Sequence, residues 1–261
     1  TGHAKFEGYY KVSIEKIRES WERLKRALVF LLNILDDKAY INSSNSYELK
    51  SDALLVPIVT YLANNNYEFK NEKEQNKFLY WFYNAMIWGR YTRRGKSGPL
   101  EQDVVTITRE NTPESLLDNL SREIRYFDVK PEYLEKAPIT SPFFNMAFIV
   151  AKSKGAIDWF NGNKLHSKLI GSSYYLNRHH IFPKDLLKKR GYYQEHEKRK
   201  MVNEIANRAF LTASANKEIR NIEPEQYLIK VQEKYPKALR QQFVPEKEEL
   251  WKLDAFELFL K

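Results

Sequence analysis

Seven apolar residues, Ile14, Ile17, Trp21, Leu24, Leu28, Leu31 and Leu35, recur at three- and four-residue steps. That period places them on one face of a long helix and commits the front of the chain to helical packing. Asp52 to Ala63 repeats the pattern through Leu54, Leu55, Ile58 and Leu62, and Phe78 to Trp88 is apolar nearly all round, as a buried central helix would be. Thr112-Pro113 and Ser141-Pro142 read as helix starts, a capping hydroxyl followed by proline in the first turn, and Gly155 as the end of the second.

Near 158–164 the character changes. Asn161-Gly162 is a turn signal, and Ser172 to Ile181 is rich in Tyr and apolar residues, as a strand would be. Pro183 to Arg190 reads as a short helix closed by Gly191, Arg208 to Thr212 as a second strand, and Ser214 as the cap of a short helix carrying Asn216. Beyond Pro224 the chain returns to helix. The reading is a mainly α protein with a small α+β part, divided into a helical domain over 1–160 and a second domain over 161–261.

Charge narrows the partners. The chain carries 43 Lys and Arg against 34 Asp and Glu, a net +9, which points to a polyanion, nucleic acid before anionic membrane. The surplus is concentrated: Leu176 to Arg220 holds eleven basic residues, among them Lys184, Lys188, Arg208, Lys217 and Arg220, against five acidic ones. Lys184, Lys188, Arg208, Lys217 and Arg220 are the candidate phosphate contacts. With no cysteine, disulfides, thiolate metal sites and cysteine nucleophiles are excluded. No apolar run approaches the roughly 20 residues of a membrane span, and a reducing cytoplasm is the expected compartment. Thr1-Gly2-His3 reads as an expression remnant, so the chain is expected to be a piece of a longer protein.

One phosphate-site signal fails. Gly95-Lys96-Ser97 has its upstream glycine at Gly89, with five residues between the two glycines where a phosphate-binding loop has four, and a helix-like aromatic run precedes it. Arg90, Arg93, Arg94 and Lys96 read instead as a basic inter-helix loop able to touch phosphates.

The chemistry concentrates in Arg178-His179-His180-Ile181-Phe182-Pro183, Asn207 and Asn216. Phosphodiester hydrolysis needs a base working near neutral pH, which histidine supplies, and a divalent cation to offset charge on the phosphoryl and leaving oxygens. An asparagine oxygen suits a hard cation, and an imidazole can join it for a softer one. Adjacent histidines at a strand end point to opposite sides, so one can face a metal and the other a water. Local reasoning leaves open that both are satisfied structural histidines.

The string His-His-Ile-Phe-Pro, followed by Ile-Ala-Asn-Arg-Ala-Phe-Leu-Thr and Ala-Asn-Lys, resembles the HNH core of the His-Me finger nucleases. More closely, it resembles the C-terminal nuclease region of GmrSD-type modification-dependent restriction endonucleases. The strong likeness covers Tyr175 to Tyr227. Trp88-Gly89-Arg90-Tyr91 with Leu100-Glu101-Gln102-Asp103 resembles the helical region preceding that core. The resemblance implies a ββα-metal core embedded in helices and a Mg2+- or Mn2+-dependent DNA endonuclease or nickase of anti-phage restriction. It implies His180 as general base, Asn207 as the residue that holds the loop and orients it, and His179 and Asn216 as metal ligands. His179 stands where many relatives carry Asp, and the basic helical stretch between Pro183 and Asn207 is an insertion. The nucleotide-hydrolysing module of relatives has no counterpart motif here, which leaves it to another segment or a partner chain. The alternatives are an idle or partner-activated nucleic-acid-binding module and an RNA-cutting nuclease. His166 and His196 read as surface or satisfied polar residues, Trp81 and Trp88 as core, and Tyr174 and Tyr175 as strand packing.

Overall fold

The structure, a computed structural model, describes residues 12–42, 48–49, 51–92, 98–165 and 176–261. Thr1-Gly2-His3, Arg93, Arg94, the Gly95-Lys96-Ser97 segment, His166 and the expected strand residues Ser172 to Tyr175 lie outside them. Among the described residues the chain is mainly helical, with one small two-stranded antiparallel sheet. It forms two compact units that divide at Asp128–Val129, whereas the change of character in the sequence lies at 160–161. Among the described residues no helix is long and apolar enough to cross a membrane.

The first unit contains α1 (Ile14–Asp37), α2 (Val56–Asn64), α3 (Glu72–Ile87), α4 (Pro99–Glu110) and α5 (Pro113–Ser121). Its core is built from Leu31 and Leu35, Ile58 and Leu62, Phe78 and Phe82, Ile107 and Leu116, all fully buried. Two expectations change here. The apolar stripe of α1 is buried only toward its C-terminal end, because Ile14, Ile17, Trp21 and Leu24 are exposed. Arg90 is not a loop cation: it is 1% exposed and donates through Nη2 to Asp103 Oδ1 at 2.7 Å. Tyr91 and Asn119 complete the shell around Asp103. The two segments Trp88–Tyr91 and Leu100–Asp103 thus meet in a buried ion pair, whose carboxylate would be costly to bury without that partner.

The second unit contains α6 (Pro142–Ser153), β1 (Leu176–His180), α7 (Lys184–Lys189), α8 (His196–Asn203), β2 (Arg208–Thr212), α9 (Ala213–Ile219), α10 (Pro224–Lys234), α11 (Ala238–Gln241) and α12 (Phe256–Phe259). Ser141 caps α6 by accepting from Phe143 N, and Gly155 at φ +72° follows its end. Every residue of β2 is buried because both its faces are covered. Alternation sends Ala209 and Leu211 into a core with Phe182, Leu228 and Trp251. Phe210 points the other way, with ring centroids 5.0 and 4.5 Å from Phe144 and Phe148 of α6.

A two-stranded sheet is marginal alone, and side chains extend this one. Gln242 accepts from Phe210 N at 2.7 Å and donates to Phe210 O and Ile157 O, standing in for a third strand. Asp158, fully buried, accepts from Phe160 N and Asn161 N on its own turn and from Thr212 N at the end of β2. The cap of α9 is Thr212, whose Oγ1 accepts from Ala215 N, and not Ser214, whose hydroxyl bonds to that of Thr212. Strand β2 runs straight into the helix, so the last strand residue takes the capping position.

Candidate functional site

The register of the sheet decides who meets whom. His179 lies opposite Ala209 and His180 opposite Arg208. Directly opposed residues share a face, and neighbours along a strand do not. His179 therefore faces α9 and α10, and His180 faces the guanidinium of Arg208, as the alternation of adjacent histidines requires.

On the first face, His179 is 4% exposed, and its Nδ1 lies 2.8 Å from Asn216 Oδ1. Its Nε2 lies 3.4 Å from the hydroxyl of Tyr227, and Trp159 and Tyr227 meet its ring edge-on. The Tyr227 hydroxyl has one proton, and its shorter bond, 2.8 Å, goes to Ile181 O. The short contact to Asn216 Oδ1, which can only accept, places the imidazole proton on Nδ1. A cation bound between that nitrogen and the amide oxygen would take the place of the proton. The donor set is neutral, one imidazole nitrogen and one amide oxygen. It fits Mn2+ more readily than Mg2+ and leaves the remaining ligands to water and an anionic substrate. No group of three or more His, Asp or Glu able to hold an ion occurs among the described residues.

On the second face, Arg208 donates through Nη1 to His180 Nδ1 at 3.1 Å and to Arg178 O at 3.0 Å, and through Nη2 to Asn203 Oδ1 at 3.1 Å. A guanidinium only donates, so His180 Nδ1 carries the lone pair and Nε2–H is directed at Asn203 Oδ1, 3.4 Å away. Arg208, expected on the surface as a phosphate contact, is instead 9% exposed and committed to this cluster. Burial lowers its own pKa to about 10.

Asn207 is fully buried and spans the turn after β1. Its Oδ1 accepts from Phe182 N at 2.7 Å, while Nδ2 donates to Val202 O at 3.0 Å and Phe182 O at 3.3 Å. Its backbone carbonyl accepts from Ile181 N. It holds the Ile-Phe-Pro loop, and reaches His180 only through that backbone. The structure thus joins His179 to Asn216 and His180 to Arg208, while no hydrogen bond links the two histidines. Asn203, Trp159 and Tyr227 are site residues that sequence reasoning missed. Asn203 sits at the end of a helix with only its polarity to mark it, and the aromatics look like ordinary core.

Of the candidate phosphate contacts, Lys184, Lys188, Lys217 and Arg220 are exposed. Lys184 starts α7 just after the histidines, and Lys217 follows Asn216 on α9. Other cations of the basic stretch are paired, Arg190 with Asp254, Lys198 with Glu195 and Lys200 with Glu197. His196 is exposed and Trp81 buried.

Both histidines are held neutral. Burial lowers His179 to about 4, against the pull of Asn216. Burial first and the Arg208 charge second lower His180 to about 3. A folded state that resists protonation loses stability as pH falls from the ordinary 6.5 toward those values. For His179 alone the loss is about 3 kcal/mol by pH 4. Glu204, raised by burial to about 7, acts in the opposite sense and costs stability as pH rises from 4.5 to 7. Denaturant unfolding of wild type and His179→Gln across pH 4 to 7 separates them. The variant is expected to lose the acid-side decline attributable to His179, and an unchanged difference between the two across that range contradicts a neutral His179.

Comparison of the chain with family models, with curated proteins and with solved structures gives no match. The functional reading therefore stands on the geometry above.

Proposed function

We propose that the second unit is a ββα-metal nuclease core that hydrolyses phosphodiester bonds of DNA, as an endonuclease or nickase, in the manner its resemblance to restriction nucleases implies. The observation that carries this reading is the pairing of His179 Nδ1 with Asn216 Oδ1 at 2.8 Å across β1 and α9, beside a second, neutral histidine. His179 and Asn216 would hold Mg2+ or Mn2+. The ion would offset negative charge on the phosphoryl and leaving oxygens.

The chain's own residues do the rest. Asn207 fixes the loop at the end of β1, and Tyr227 sets the His179 ring so that Nδ1 faces Asn216. Lys184, Lys188, Lys217 and Arg220 hold the backbone of any duplex without reading its sequence. His180 Nδ1 takes the proton of the attacking water once a phosphate competes for the Nη1 donor of Arg208.

That last contact also favours a second reading. With both nitrogens of His180 engaged and its basicity depressed, the site is idle until substrate or a partner chain, such as a nucleotide-hydrolysing module, draws Arg208 away. Matched DNA and RNA duplexes offered with Mn2+ and Mg2+ test these readings. DNA products that need metal support the first. Salt-sensitive binding without products supports the second, and products from RNA alone make the enzyme a ribonuclease.

Binding itself is expected to weaken steeply with salt, because each neutralised phosphate releases counterions. Replacing Lys184, Lys188, Lys217 or Arg220 with Ala is expected to lower the slope of log K against log salt by about 1 each. A slope indifferent to all four replacements refutes this assignment.

A further inference from the structure

We propose that the cavity beside β2 in the second unit binds an organic ammonium ion, with the cationic group on Glu204 and its apolar body among phenylalanine rings. The cavity measures about 620 Å3, within the range of small-molecule sites. Phe144, Phe210 and Phe243 line it, and Glu135 and Glu204 share that lining.

Phe243 stands where neither the backbone nor the core accounts for it. It follows α11 in a turn closed by Phe243 N on Arg240 O and Val244 N on Leu239 O, the helix stop whose left-handed position usually falls to glycine. Phe243 holds that position at φ +63° and is 52% exposed. A bulky side chain is rare in that conformation, and a ring so exposed gains little from burial. Its place in the cavity wall is what the phenylalanine adds.

Glu204 selects the occupant. It is 5% exposed, its carboxyl accepts one hydrogen bond, from Lys136 N to Oε2 at 3.0 Å, and it makes no ion pair among the described residues. Oε1 has no partner there, yet it is not among the atoms that the interior encloses completely. Burial, with the charge of Glu135 adding to it, pushes this carboxyl up to about 7, and a cation against Oε1 would reverse that. The neighbouring charges are engaged elsewhere: Lys136 with Glu197, Glu257 with Tyr192, and Arg208 with Arg178, His180 and Asn203. An anion would meet two carboxylates, and a hydrocarbon would leave Glu204 unmet. An ammonium group on an apolar body satisfies the carboxylate and the walls together, since aromatic faces also attract cations. This assignment does not depend on the nuclease reading.

The test is calorimetric titration of the purified chain with 2-phenylethylammonium. The controls are 2-phenylethanol and 3-phenylpropanoate, which share its ring but carry no charge and a negative charge. Saturable binding of the ammonium is expected, at least tenfold tighter than either control. Glu204→Gln, which keeps the shape and removes the charge, should weaken that binding at least tenfold. Phe243→Gly should weaken it as much while unfolding in urea no earlier than wild type, because glycine suits the left-handed turn. Circular dichroism checks that each variant is folded, and should Glu204→Gln fail to fold, Phe243→Gly decides. Absence of saturable ammonium binding overturns the proposal, as does binding indifferent to the folded variants or binding of 2-phenylethanol of equal strength.

Discussion

Asn207→Ala is expected to lower the unfolding free energy of the second unit by about 3–5 kcal/mol, a large share of the about 5–15 kcal/mol a domain of this kind has. One buried amide satisfies Phe182 N, Phe182 O and Val202 O. Truncation strands three backbone groups in the interior, each worth about 1–3 kcal/mol when left unpaired, less whatever water can reach. Asn207→Asp keeps the acceptor for Phe182 N but sets a carboxylate against two carbonyl oxygens, so it should be no milder at neutral pH. Urea unfolding monitored by far-ultraviolet circular dichroism measures both. A loss below about 1 kcal/mol would show that the loop is held by something else, such as the rings of Phe256 and Phe259 against Phe182.

His180→Ala should cut phosphodiester cleavage by about 10²- to 10⁴-fold, the range for loss of a positioned general base. DNA binding and thermal stability should stay near wild type. His180 is half-buried, and its partners Arg208 and Asn203 remain bonded to each other and to Arg178 O, so the cluster survives its removal. Asn216→Ala should also abolish cleavage, but by a route that excess Mn2+ partly rescues, because it removes a ligand and not the base. If His180→Ala retains cleavage within threefold of wild type, the base lies elsewhere.

The elements of the site were legible where local chemistry specifies them. The strand at Arg208–Thr212, the short helices after Pro183 and around Asn216, and the proline-led starts of α5 and α6 follow from apolar residue type, proline placement and glycine stops. Of the expected caps only Ser141 caps with its side chain, Thr112 making no such bond and Thr212 taking the place of Ser214. What was not legible depends on register and long-range packing. Alternation separates His179 from His180, but only the pairing of His180 with Arg208 reveals that the arginine is a buried partner of the histidine. Counting charge cannot distinguish such a residue from Lys217, which is a surface cation. Asp158 and Gln242 brace β2 from far along the chain and carry no local signal. The apolar stripe of α1 shows the converse: its period fixes the helix, while burial of Leu31 and exposure of Trp21 depend on what packs against each turn.

The most direct test of the nuclease reading is conversion of supercoiled plasmid by the wild-type chain in Mn2+, in Mg2+ and in chelator, with His180→Ala and Asn216→Ala alongside. Nicked or linear product that requires the metal, vanishes with His180→Ala and is partly recovered for Asn216→Ala at high Mn2+ is the expected result. Cleavage that persists in chelator or in His180→Ala, or no cleavage of any DNA by a folded, DNA-binding wild type, contradicts it.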